Sequence, residues 1–118
     1  GLVVDIGSND GTLLQNFRSR GSKVLGIDPA VDIASKATED GIETIAEFFT
    51  SELAIKISEN YGEAKIVFAN NVFAHVDNLR DMVEGIQSLL SSDGIFVFEV
   101  SYLIDLFEKT LYKLGTGL

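Results

Sequence analysis

The sequence predicts an α/β fold built on a doubly wound, mainly parallel sheet with the strand order 3-2-1-4-5. Short apolar segments alternate along the chain with segments of helical periodicity. This alternation implies parallel strand pairing through right-handed crossovers. The apolar segments carry few polar interruptions, which is typical of strands that are covered on both faces. The chain of 118 residues has room for one such domain.

Each element is predicted from its own local pattern. The strands are short runs rich in apolar residues, and they cover residues 2–6, 23–28, 43–46, 65–70 and 95–100. The helices carry apolar residues on one face, and they cover residues 12–20, 31–39, 51–60, 78–90 and 103–114. Gly21 and Gly41 follow two of the helices, where a C-terminal cap favours glycine. Thr50 or Ser51 can cap the third helix, and residues 92–94 (SDG) predict a turn before the last strand.

Composition excludes several classes of function. The formal net charge of −9 argues against a nucleic-acid backbone as a partner. The absence of cysteine excludes disulfides and thiolate metal sites within this sequence, and a single histidine does not make a metal site. No apolar run reaches the ~18 residues of a membrane span, and no signal peptide is visible. We therefore expect a cytoplasmic protein without a metal or membrane partner.

A glycine turn, residues 5–11 (DIGSNDG), leads from the end of the first strand to the first helix. Gly7 and Gly11 allow the backbone to approach a ligand closely, and the following helix offers free N–H groups. The G-x-x-x-G spacing matches neither the dinucleotide fingerprint nor the P-loop, which requires a Lys-Ser/Thr pair. The turn contains acidic residues and no basic one, so it favours a nucleoside ligand without phosphates.

The polar residues of this turn each have two interpretations. Asp5 ends the first strand, and it could orient the turn or receive a cationic group of the ligand through water. Asn9 and Asp10 are good turn and N-cap residues, although their backbone could still contact a ligand. Ser8 and Thr12 have no base nearby in sequence, so we predict no nucleophile of the serine or threonine type.

Candidate binding residues follow the second and third strands. Asp28 ends the second strand, 17 residues after Gly11, where a carboxylate can accept hydrogen bonds from both ribose hydroxyls. Its alternative role is a cap for the following helix. Phe48 and Phe49 follow the third strand, where they could flank an adenine ring or fill the core.

Further candidates follow the fourth and fifth strands. Asn70 and Asn71 are poor strand formers, so they either hold a sharp turn or present amide groups to a ligand. His75 is the only histidine, and it is a candidate acid, base or substrate contact, although a lone histidine is often structural. Glu99 lies in an apolar strand, where a charge is costly unless it is paired or faces a cleft. With Tyr102 it is a candidate substrate contact.

Two pairs of motifs carry a resemblance to a known family. Residues 5–11 (DIGSNDG) and 26–29 (GIDP) resemble those of class I S-adenosylmethionine-dependent methyltransferases, which have a Rossmann-like fold. Residues 69–76 (ANNVFAHV) and 98–103 (FEVSYL) resemble those of C-methyltransferases that act on nucleotide-linked deoxysugars. The resemblance covers essentially the whole chain.

The resemblance implies S-adenosyl-L-methionine as cofactor and a nucleotide sugar as substrate. Gly7 and Gly11 would border the methionine end, Asp28 would hold the ribose, Asn70 and Asn71 would lie near the sulfonium, and His75 would face the sugar. The full set of expected cofactor contacts is Asp5, Gly7, Ser8, Asn9, Gly11, Asp28, Pro29, Phe48, Phe49, Asn70 and Asn71. The expected substrate contacts are His75, Glu99 and Tyr102.

In such enzymes a keto-sugar is deprotonated beside its carbonyl, and the resulting enolate attacks the methyl group, which requires a general base. His75 is the catalytic candidate here, but the family's Tyr-His-Glu-His segment is missing, and Ser101 stands where the family usually has proline. The family's cysteine-rich zinc-binding part and C-terminal domain are also missing. We therefore expect residues 1–118 to be a single cofactor-binding core domain, a fragment of a longer enzyme that is inactive alone. A nicotinamide-dependent oxidoreductase domain and a non-catalytic binding module are the alternatives.

Overall fold

Five parallel strands form one sheet in the order β3-β2-β1-β4-β5 in the computed structural model, which describes residues 1–69 and 76–98. The strands are β1 (Leu2–Ile6), β2 (Lys23–Ile27), β3 (Thr44–Ile45), β4 (Ala64–Ala69) and β5 (Leu90–Phe98). The order changes direction at β1, which pairs with β2 on one side and with β4 on the other. This arrangement confirms the predicted fold class and strand order.

Four helices connect these strands in the described residues. They are α1 (Thr12–Ser19), α2 (Val31–Glu39), α3 (Ser51–Tyr61) and α4 (Val76–Leu89). Their ends follow the expected chemistry, because the Thr50 side chain accepts a hydrogen bond from the N–H of Leu53 at 3.1 Å and Gly21 has a φ of 92° just past α1. The helix predicted over residues 103–114 lies outside the described residues.

Apolar side chains cover both faces of the sheet. On one face, alternate residues of β1 pack with α3 and α4; its fully buried members include Val4, Leu25, Ile57 and Leu89. On the other face, Val3 packs with Leu14 of α1 and with Ile42, which precedes β3. The alternation within β1 places the two halves of the core on opposite sides of one strand. Val83, which the helical pattern predicts to face inward, is instead 47% exposed on α4.

The beginning of β5 differs from the prediction. The turn expected at residues 92–94 is part of the strand, which already begins at Leu90. Leu90 pairs with Ala64, and Ile95 pairs with Ile66. Between these two pairs β5 has four residues, whereas β4 has only one. This is a bulge rather than a turn. At its end a Cβ on Gly94 would lie 2.9 Å from the carbonyl oxygen of Ala64, so glycine permits the close approach of the two strands.

Candidate functional site

The glycine turn joins β1 to α1 through three left-handed residues. Gly7, Asn9 and Gly11 have φ angles of 79°, 56° and 84°, a region that glycine adopts without strain and asparagine tolerates. The N–H groups of Gly7 and Ser8 both donate to the carbonyl oxygen of Ile27, at 2.7 and 3.2 Å. The end of β2 therefore fixes the start of the turn.

Asp10 serves the turn itself. Its Oδ1 accepts hydrogen bonds from the N–H and the hydroxyl of Thr12, at 3.0 and 2.7 Å. These bonds, the side-chain one first, hold the pKa of Asp10 below its usual value. The turn role expected for Asp10 is confirmed, whereas the N-cap role is wrong, because α1 has no side-chain cap hydrogen bond. Gly11 is the residue at the N-cap position of α1.

Asp28 connects the turn to β2. Its Oδ2 accepts a hydrogen bond from the N–H of Asn9 at 2.9 Å, and its Oδ1 accepts one from the N–H of Ala30, also at 2.9 Å. The second bond closes a local turn just before α2. The helix-cap alternative is wrong, because Ala30 is the N-cap residue and α2 has no side-chain cap hydrogen bond. The bond to Asn9 was not anticipated from the sequence, because the two residues are 19 positions apart. Each carboxylate oxygen has a second lone pair, so the half-buried carboxylate can still receive the two hydroxyls of a ribose.

Asp5, near the end of β1, and Ser8, in the turn, are both buried. Asp5 is 2% exposed, and it lies between Gly26 of β2 and Phe68 of β4 in the register of the sheet. Ser8 is 5% exposed, and its Oγ has no hydrogen-bond partner among the described residues. A Cβ on Gly26 would lie 2.4 Å from this Oγ. The Ser8 hydroxyl is therefore packed against β2, and the carbonyl oxygen of Ser8 accepts a hydrogen bond from the N–H of Gly11 at 3.0 Å.

The two phenylalanines after β3 have different environments. Phe49 packs against the larger core cluster, and a Cβ on Gly85 of α4 would lie 2.9 Å from its Cε2 atom. Phe48 is 75% exposed. The N–H of Asp28 donates to the carbonyl oxygen of Ile45 at 3.0 Å, so this segment starts at the same edge of the sheet as Asp28. The core alternative therefore applies to Phe49, and Phe48 is the better candidate for contact with a ring.

The structure brings the acidic and glycine residues of the turn, Asp28 and the Phe48 segment to the carboxyl edge of β1, β2 and β3. Pro29 lies exposed at this edge as well. The candidates Asn70, Asn71, His75, Glu99 and Tyr102 lie outside the described residues, so their roles stay predictions.

Comparison with known proteins assigns the family. Residues 1–114 match the family described as methyltransferase domain. The chain belongs to this family. Over 111 residues it is 39% identical to the C-methyltransferase NovU of Streptomyces niveus, and the match covers 94% of this chain and 26% of that protein. The chain thus spans about a quarter of the length of this curated relative.

Solved structures agree with the family and the fold. The plantazolicin methyltransferase BamL, solved in complex with a triazolic desmethylPZN analog and SAH, is 27% identical and has a TM-score of 0.63, over 80% of this chain and 36% of that one. A SAM-dependent methyltransferase from Agrobacterium tumefaciens has a TM-score of 0.66 at 14% identity, over 93% of this chain and 44% of that one, and it supports the fold alone.

These comparisons confirm the class I methyltransferase resemblance and S-adenosyl-L-methionine as the cofactor of the family. They do not favour the nicotinamide-dependent alternative. Within residues 1–69 and 76–98, no helix has the length and apolar character that a membrane crossing requires.

Proposed function

We propose that this chain is the S-adenosylmethionine-binding core of a C-methyltransferase whose acceptor is a nucleotide-linked keto-deoxysugar. The observation that carries the cofactor site is the hydrogen bond between Asp28 Oδ2 and the N–H of Asn9. It joins the two elements that a nucleoside would contact, the carboxylate at the end of β2 and the left-handed turn after β1. The two are therefore arranged before a ligand arrives, which lowers the ordering cost of binding.

The residues of the turn fit a cationic nucleoside. The absence of side chains at Gly7 and Gly11 lets the ligand approach the backbone. At Gly11 a larger residue would also crowd the core, because its Cβ would lie 3.1 Å from the side chain of Ile42. Asp5, buried near the end of β1, would orient the turn or receive the cationic group of the ligand through water. Asp28 would accept the ribose hydroxyls, and the exposed ring of Phe48 would cover the adenine.

When bound, S-adenosylmethionine supplies an electrophilic methyl group on a positively charged sulfur. The protein residues then have to orient that group and exclude water from the acceptor. We propose Asn70 and Asn71 for the sulfonium end and His75, Glu99 and Tyr102 for the sugar. His75 could hold or move a proton of the acceptor, while the main general base would come from another part of the enzyme.

The choice of acceptor is supported by two similarities. The relative at 39% identity is named a C-methyltransferase, and residues 69–76 and 98–103 resemble the enzymes that methylate deoxysugars. Because the chain spans 26% of that relative, we propose that residues 1–118 form one domain of a longer enzyme with further domains. We also propose that this enzyme works in the cytoplasm on a small-molecule substrate.

Calorimetric titration tests the cofactor. S-adenosylhomocysteine should bind with one-to-one stoichiometry, and NAD should not bind, since the turn lacks the third glycine of the dinucleotide fingerprint. Binding of NAD without S-adenosylhomocysteine would refute the proposal. For the acceptor, a panel of nucleotide-linked sugars with and without a keto group should be assayed with the longer enzyme. Methylation of oxygen rather than carbon would contradict the proposed reaction.

A further inference from the structure

The first turn of α3 is capped by a residue from another helix. The N–H of Ser51 donates to Asp81 Oδ2 at 3.0 Å, and the Ser51 hydroxyl donates to Asp81 Oδ1. The hydrogen bond from the hydroxyl, and then the one from the backbone, lower the pKa of Asp81. Thr50 already supplies the usual cap by accepting from Leu53. Asp81 therefore adds a tether between α3 and α4 rather than the only cap of α3.

A second contact lies one helical turn further along α4. A Cβ on Gly85 would lie 2.9 Å from Cε2 of Phe49 and 3.1 Å from Cα of Ser51. Asp81 and Gly85 are four residues apart, so they lie on the same face of the helix. The absence of a side chain at Gly85 lets the Phe49 ring lie directly against α4. Asp81 holds Ser51, two residues further along the chain, by hydrogen bonds.

Phe48 lies between this tether and the sheet. On its N-terminal side, Ile45 is held by β2 through the hydrogen bond from the N–H of Asp28 to its carbonyl oxygen. On its C-terminal side, Phe49 and Ser51 are held by α4. The ring itself is 75% exposed, so its own packing does not fix its direction. The backbone on both sides has to do so.

We infer that Asp81, together with Gly85, is a positioning residue that holds Phe48 in place for contact with the adenine of the cofactor. The inference rests on the proposed function, in which Phe48 covers the adenine. Neither residue contacts the cofactor in this account. A preorganised aromatic side chain loses less conformational freedom when it binds, so breaking the tether should weaken binding at the adenine end without removing any ligand contact.

A double-mutant cycle between Asp81→Ala and Phe48→Ala tests this inference in the full chain. The dissociation constants of S-adenosylhomocysteine and of adenosine are measured by calorimetry, because both ligands carry the adenine. Phe48→Ala should weaken both by about tenfold, the loss expected for one base stacked on one aromatic ring. Asp81→Ala should weaken both by about threefold to tenfold, and the double variant should bind no more weakly than Phe48→Ala alone.

Two further variants separate positioning from general destabilisation. Asp93→Ala is the matched control, because Asp93 also accepts hydrogen bonds at the chain surface, from Lys65 and Ser91, but in the bulge at the start of β5. It should lower the melting temperature and leave both dissociation constants unchanged. Ser51→Ala removes only the hydroxyl bond to Asp81, and it carries the same test if Asp81→Ala does not fold.

The outcomes distinguish the inference from the proposed function. If Phe48→Ala weakens binding but Asp81→Ala and Ser51→Ala do not, the positioning role is refuted while the adenine contact stands. If the effects of Asp81→Ala and Phe48→Ala simply add, the tether acts through stability and the inference also fails. If Phe48→Ala leaves both ligands unaffected, the proposed adenine contact fails and the inference fails with it.

Discussion

Replacing Asp28 with asparagine tests the link between the turn and β2. The carboxylate accepts two backbone hydrogen bonds, from Asn9 and Ala30, each 2.9 Å long. An asparagine has the same shape but only one oxygen, so its amide nitrogen must face one of the two N–H groups. One bond is then lost and a donor meets a donor, and the remaining bond loses its charge.

The magnitude follows from these bonds. A hydrogen bond to a charged group contributes about 1.5–3 kcal/mol to stability, and a neutral one about 1 kcal/mol. Because Asp28 is half-buried, we expect Asp28→Asn to lower the free energy of unfolding by about 1–2 kcal/mol. If the carboxylate also receives the ribose hydroxyls, the affinity for S-adenosylhomocysteine should fall by about tenfold to a hundredfold.

Thermal unfolding followed by circular dichroism measures the first effect, and calorimetry the second. Asp32→Asn is the matched control, because Asp32 is an exposed carboxylate in the first turn of α2. It removes the same charge four positions away and should change neither quantity appreciably. An unchanged affinity in a folded Asp28→Asn variant would reject the ribose role, and an unchanged melting temperature would reject the structural one.

Three further predictions concern stability and pH. Ser8→Ala should raise the melting temperature, because the buried Ser8 hydroxyl has no partner among the described residues and such a group destabilises the native protein by about 1 kcal/mol or more. A lower melting temperature would show that the hydroxyl is paired. Thr50→Ala should cost about 1 kcal/mol, since it removes the N-cap bond of α3, whereas an unchanged denaturant midpoint would contradict that role. The lowered pKa of Asp81 means that its contribution is present above the unfolded pKa of about 3.9 and is lost as the pH falls through the folded value. Asp81→Asn should therefore flatten the decline of the melting temperature in this acid range, and an equally steep decline in both proteins would refute the assignment.

Most of the fold is predictable because its signals are local. The strands β1 and β2 are nearly continuous apolar runs, and α2 lies between Pro29 and Gly41, which mark its ends. The predicted start of β5 was wrong because it relied on the same kind of local signal. Residues 92–94 have the composition of a turn, but they lie in a bulge between the pairs Leu90–Ala64 and Ile95–Ile66. Pairing with a neighbouring strand is a tertiary interaction, so local composition did not show that β5 begins before these residues.

The sequence by itself determined the doubly wound sheet, the glycine turn after β1 and the position of Asp28 at the end of β2. These features depend on the hydrophobic period and on residue spacing, and both are readable along the chain. The roles within the site required the tertiary structure. Packing against Gly85 assigned Phe49 to the core, and the fold joined Asp28 to Asn9 across 19 positions and Ser51 to Asp81 across 30. Such contacts form only when separate elements pack together, so no local pattern announces them.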